Sequence, residues 1–93
     1  MEGTVIEAKE AARKALQYYM ELLDLKDASG VQLEEIELLE EKGGTYWLVT
    51  LSRPANLPMN ELVAKLGRPL REYKIFKVHA SIGRVEWMKI RQL

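Results

Sequence analysis

An α+β fold, with one N-terminal helix packed on a four-stranded antiparallel meander, follows from three features of the sequence. Apolar residues recur at helical spacing near the start of the chain and then at a spacing of two. The β-patterned segments fall into two pairs, each joined by a short glycine-bearing turn, Lys42-Gly-Gly44 and Ala80-Ser-Ile-Gly83. Between the pairs, Pro54, Pro58 and Pro69 interrupt the strand pattern, so residues 53–72 connect the hairpins rather than extend the sheet. Ninety-three residues support one core, and the chain reads as a single domain over 1–93.

Thr4-Val-Ile-Glu7 has the form of a capping box, in which the threonine oxygen accepts a first-turn N–H and the glutamate reaches back to the cap's own N–H. A helix is predicted from there. Its stripe runs Val5, Ala8, Ala12, Leu16, Tyr19 and Leu23, widened by Ala11, Ala15 and Leu22, with Glu10 and Lys14 spaced to pair on the wet side. Four alanines keep that stripe thin enough to lie close to a sheet. Asp27-Ala-Ser-Gly30 is expected to end the element, because glycine tolerates the left-handed exit conformation.

From Val31 the period becomes two. Val31 and Leu33 point one way and Ile36 and Leu38 the other, so a bulge is expected near Glu34-Glu35. With Glu41–Gly44 as the loop, Leu38 faces Trp47 and Ile36 faces Val49 on one side of the first hairpin. Within the connecting segment, Met59–Leu66 favours a short helix, with Pro58 at its first position and Gly67 at its exit. In the last hairpin, Gly83 suits a left-handed bulge position. The expected register sets Val78 against Glu86, Phe76 against Met88, His79 against Val85, Lys77 against Trp87, Ile75 against Lys89 and Tyr73 against Arg91.

This arrangement makes both sides of the sheet apolar. Phe76, Val78, Ala80, Met88 and Ile90 join Ile36, Leu38, Trp47, Val49 and Leu51 on the side the helix covers. The other side collects Leu39, Tyr46, Leu48, Tyr73, Ile75, Val85 and Trp87. Contiguous apolar patches beyond a few hundred Å² usually mark contact sites. A non-enzymatic protein–protein interaction module is therefore the expected function, with a second copy of the chain as one partner. Its contact residues are Tyr46, Leu48, Tyr73, Ile75, Lys77, Val85, Trp87, Lys89 and Arg91.

The overall balance of charge hides an asymmetry. Residues 1–52 hold eleven acidic and five basic side chains, and residues 53–93 three acidic and nine basic. Aromatics among cations on an open sheet can stack bases and attract phosphates, so a sheet-based nucleic-acid-binding module is the alternative. An RNP-type motif is lacking, and the acidic half repels such a ligand. In a third arrangement Lys77 and Arg91 lie over Trp87 and Tyr73 as cation–π contacts on a solvated face.

A small enzyme would have to use His79, the only histidine, yet no acidic residue is close in sequence to orient it, and a turn residue is the simpler role. With one histidine and no cysteine, a zinc site and a disulfide framework have no ligands or partners to draw on, and no cofactor is expected. The glutamates from Glu34 to Glu41 lack calcium-loop spacing and read as a charged strand edge that resists edge-to-edge aggregation. No stretch approaches the ~18 apolar residues of a membrane span, and Met1–Ala15 lacks the form of a signal peptide, so a cytoplasmic location is expected.

The sequence Tyr73-Lys-Ile-Phe-Lys-Val78, then His79-Ala-Ser-Ile-Gly83, then Val85, resembles the closing hairpin of PepSY-type and cystatin-like small α+β domains. It departs from that pattern at His79, where such turns tend to have aspartate, and at Ile82, where they tend to have threonine. Overall the chain is similar to short bacterial proteins of helix-plus-meander layout. The resemblance implies the fold and little about function.

Overall fold

The computed structural model describes residues 5–55 and 71–91. Its elements are α1 (Ala8–Leu23), β1 (Gln32–Glu41), β2 (Gly44–Pro54), β3 (Arg71–His79) and β4 (Val85–Ile90). The strands pair antiparallel in the order β1-β2-β3-β4, and α1 packs on one side of them. The expected short helix at 59–66 lies outside the described residues. The connecting segment is narrower than 53–72, because Arg53 pairs with Glu72 and Pro54 with Arg71. Pro54 ends β2, where its missing N–H removes no interior ladder bond.

The helix is shorter at both ends than its sequence suggests. It starts at Ala8, with Glu7 in extended conformation at the N-cap and no side-chain cap. The cause is tertiary. The Ile6 N–H donates to the Ala80 carbonyl at 2.7 Å, and the Trp47 indole N–H donates to the Ile6 carbonyl at 2.9 Å. Both backbone groups of Ile6 are thus bound to the sheet, which keeps Val5–Glu7 out of the helix. Thr4 lies outside the described residues.

At the other end Asp24, not Gly30, takes the left-handed position at φ 56°. The Leu25 N–H then closes on the Met20 carbonyl at 2.8 Å, the six-to-one bond of a Schellman motif. Gly30, at φ 80°, turns the chain into β1 instead.

The core is Ala11, Ala15 and Tyr19 of α1 against Val49, Leu51, Phe76 and Val78. These helix positions are spaced by four, so they form one row, and two alanines in that row let the helix sit close to β2 and β3. Phe76 is fully buried, with the Tyr19 and Tyr18 rings edge-on to it at 5.3 and 6.3 Å. Burial of a phenylalanine of this kind contributes about 2–3 kcal/mol. Leu22 and Leu23, expected on the core stripe, are exposed. They fall in the last turn of α1, which the left-handed Asp24 ends.

The first hairpin has the expected register, with Leu38 opposite Trp47 and Ile36 opposite Val49, and a bulge between Leu33 and Glu35. The second differs. The His79 N–H donates to the Arg84 carbonyl and the Gly83 N–H to the His79 carbonyl, so His79 faces Arg84 and Val78 faces Val85. A register shift then restores Lys77 opposite Trp87, Phe76 opposite Met88 and Ile75 opposite Lys89. Val85 consequently packs against the core on the helix side, which removes it from the outer-face set. Among the described residues no helix is long and apolar enough to cross a membrane.

Candidate functional site

The side of the sheet away from α1 is built from alternate positions of the four strands. β1 presents Glu35, Glu37, Leu39 and Glu41; β2 presents Tyr46, Leu48, Thr50 and Ser52. β3 adds Tyr73, Ile75, Lys77 and His79, and β4 with its following residue adds Trp87, Lys89 and Arg91. The strand ladder therefore brings together eight of the nine predicted contact residues. Val85 is the exception. Phe76 lies in the core cluster and Trp87 does not, so the two rings point to opposite sides.

The outer apolar groups are half-buried rather than bare. Lysines lie over two of the rings. The Lys77 ammonium sits 4.3 Å from the Tyr46 ring centre and 5.9 Å from that of Trp87, and the Lys89 ammonium lies 4.4 Å from Trp87. The expected pairing of Lys77 with Trp87 is present, but Arg91 does not lie over Tyr73. Its guanidinium binds Glu35 and donates to the Thr50 hydroxyl at 2.7 Å. A carboxylate within reach outcompetes an aromatic face for an arginine, because full charges attract more strongly than a charge and a quadrupole.

Lys77 also pairs with Glu41 at 2.6 Å, which raises the pKa of its ammonium through the hydrogen bond to that carboxylate. Two ion pairs thus run across the face from β1 to the basic strands. Beside them, Glu34, Glu35, Thr50, Tyr73 and Arg91 line a cleft of about 240 Å³. Thr50 and Ser52 are buried on this side. Ser52 donates to Glu34 at 2.6 Å and accepts from Arg71 at 2.8 Å. The sequence signal for this polar cluster is a pair of hydroxyls, Thr50 and Ser52, at alternate positions of an otherwise apolar strand.

His79 is the last residue of β3 and not part of the turn that follows. Its Nδ1 accepts the Ser81 N–H at 3.2 Å, and its ring stands edge-on to Tyr46 at 5.1 Å. Among the described residues no carboxylate hydrogen-bonds it, and no three potential metal ligands converge.

The helix side carries a second, less polar feature. Leu16, Met20 and Leu25, rimmed by Arg13, Gln17 and Asp24, line an open groove of about 480 Å³ along α1. Among the exposed large apolar side chains, Leu22 belongs to the helix end, Leu33, Leu38 and Ile90 to the helix side of the sheet edges, and Ile82 to the last turn.

Comparison of the chain with protein-family models, curated proteins and solved structures found no match.

Proposed function

We propose that the protein is a non-enzymatic interaction module, acting in the cytoplasm, that docks another protein through the outer face of its sheet. One observation carries this reading: α1 shelters one side of the sheet, while the other holds Leu39, Tyr46, Leu48, Tyr73, Ile75 and Trp87 in a half-buried layer. Tyrosine, tryptophan and arginine at the centre of a patch are the composition of interface hot spots. The helix groove is more aliphatic, and its rim carries both signs of charge.

Nucleic acid finds less support on the same surface. Stacking of bases needs free aromatic faces, whereas lysines already lie over the Trp87 and Tyr46 rings. The glutamates of β1 would also repel a phosphate backbone.

The test is Trp87→Glu. A carboxylate there would sit between Lys77 and Lys89, so the variant is expected to stay folded, with circular dichroism unchanged and stability lowered by about 1 kcal/mol at most. It is also expected to lose association. Loss of the folded state would mean that the face is internal core and would overturn the proposal.

A further inference from the structure

We infer that the partner on the outer face is a second copy of this chain, related by a two-fold axis that runs parallel to the strands and passes between β2 and β3. The inference rests on the reading of that face as a docking surface and adds the identity and orientation of the partner.

Charge is divided across the face. Its β1 side presents Glu35, Glu37 and Glu41, and its β3–β4 side presents Lys77, Lys89 and Arg91. The register sorts these residues into rows that run across the strands. One row is Glu35, Thr50, Ile75 and Lys89; the next is Glu37, Leu48, Lys77 and Trp87. Each row runs from acid on β1 to base or aromatic on β4.

Symmetry decides what a second copy meets. When two identical sheet faces pack together, an axis across the strands would lay β1 on β1 and set glutamate against glutamate. An axis along the strands lays β1 on β4, and two-fold symmetry repeats that contact. Glu35 and Glu37 then stand over the partner's Lys89 and the partner's Trp87. Like charges face each other in the first arrangement and opposite charges in the second, so electrostatics selects the second.

Two of the three acids and two of the three bases are already paired within the chain, Glu41 with Lys77 and Glu35 with Arg91. Glu37 and Lys89 form no ion pair among the described residues. They lie one row apart, about 7 Å along the strand. The aligned packing of twisted sheets at about 30° and the length of the lysine side chain bring each within reach of the other across the dyad.

Area sets the strength. Four strands at about 4.8 Å spacing and eight residues of length give a face of about 500 Å² per copy, or about 1,000 Å² in total. That is the lower limit for a specific interface, so the dimer should dissociate on dilution.

The experiment uses the full chain with Glu37→Lys and Lys89→Glu as separate variants. Both positions are exposed, so both variants should fold, and circular dichroism checks this. Sedimentation equilibrium should give wild-type a mass twice 10.7 kDa at high concentration. Each variant alone should weaken dimerisation at least tenfold, and an equimolar mixture of the two should restore it, because each then meets its complement. A wild-type monomer at millimolar concentration would overturn the inference and leave the docking face to the Trp87→Glu test. Dimers indifferent to Trp87→Glu would overturn both. Single variants that dimerise as tightly as wild-type, with Glu37→Lys pairing better with wild-type chain than with itself, would establish the other axis and sink this one.

Discussion

Glu35 of β1 and Arg91, just beyond β4, bind each other across the two strands between them, and the guanidinium also caps the Thr50 hydroxyl beneath. The contact joins residues 56 apart in sequence and closes the outer face at one end. Both side chains remain partly exposed, so solvent and salt weaken their attraction. A double-mutant cycle with Glu35→Gln and Arg91→Gln should give a coupling of about 0.5–1 kcal/mol that shrinks as salt rises. A coupling above about 2 kcal/mol would place the pair in a much drier setting.

Tyr19 is the pH-sensitive element of the core. It is fully buried, its hydroxyl donates to Glu72 at 3.2 Å, and Arg53 holds the same carboxylate at 3.2 Å. Burial, reinforced by the negative charge of Glu72, pushes its phenol up to about 12. Below pH 10 the phenol is protonated in both folded and unfolded chains, and the native state keeps its full stability. Between about pH 10 and pH 12 the unfolded chain releases the proton while the folded one retains it, so stability falls. Chemical denaturation across this range should show the loss in wild-type and less of it in Tyr19→Phe. At neutral pH the same substitution should cost about 1 kcal/mol for the lost hydrogen bond.

Gly83 fixes the last turn. Its φ is 74°, it is buried, and a Cβ would approach Lys14 Cε at 3.3 Å. Lysine can move aside, so the backbone conformation dominates the cost. Gly83→Ala should destabilise by about 1–2 kcal/mol. Thermal unfolding would then occur about 5–10 °C lower.

Trp47 holds the N-terminal segment through its indole. Trp47→Phe keeps an aromatic ring against the core but removes the donor to the Ile6 carbonyl. Hydrogen exchange at the Ile6 amide, which is bonded to Ala80, should quicken about five- to tenfold while core amides change less. Equal acceleration throughout would show that the indole bond supports the whole fold and not this segment.

Much of this molecule is written locally in its sequence. The change from helical spacing to alternation fixed the element types and their order. The two-residue Lys42-Gly43 turn, closed by Glu41 opposite Gly44, set the first hairpin's register, and the alternation slip at Glu34-Glu35 marked its bulge. These properties depend on neighbours within a few residues, and the two-residue period of a strand assigns most side chains to a face without further information.

Only tertiary structure decided the rest. Helix α1 begins at Ala8 because Trp47 and Ala80, distant in sequence, bind both backbone groups of Ile6. Val85 turns to the core because one shift beside the last turn exchanges the faces of the strand on either side of it. Arg91 leaves Tyr73 for Glu35 because folding brings a carboxylate within its reach. In each case a backbone or side-chain group had several partners or registers available, and the hydrogen bonds and ion pairs that chose among them are short-ranged and directional. Local pattern limits the choices, and the assembled sheet makes them.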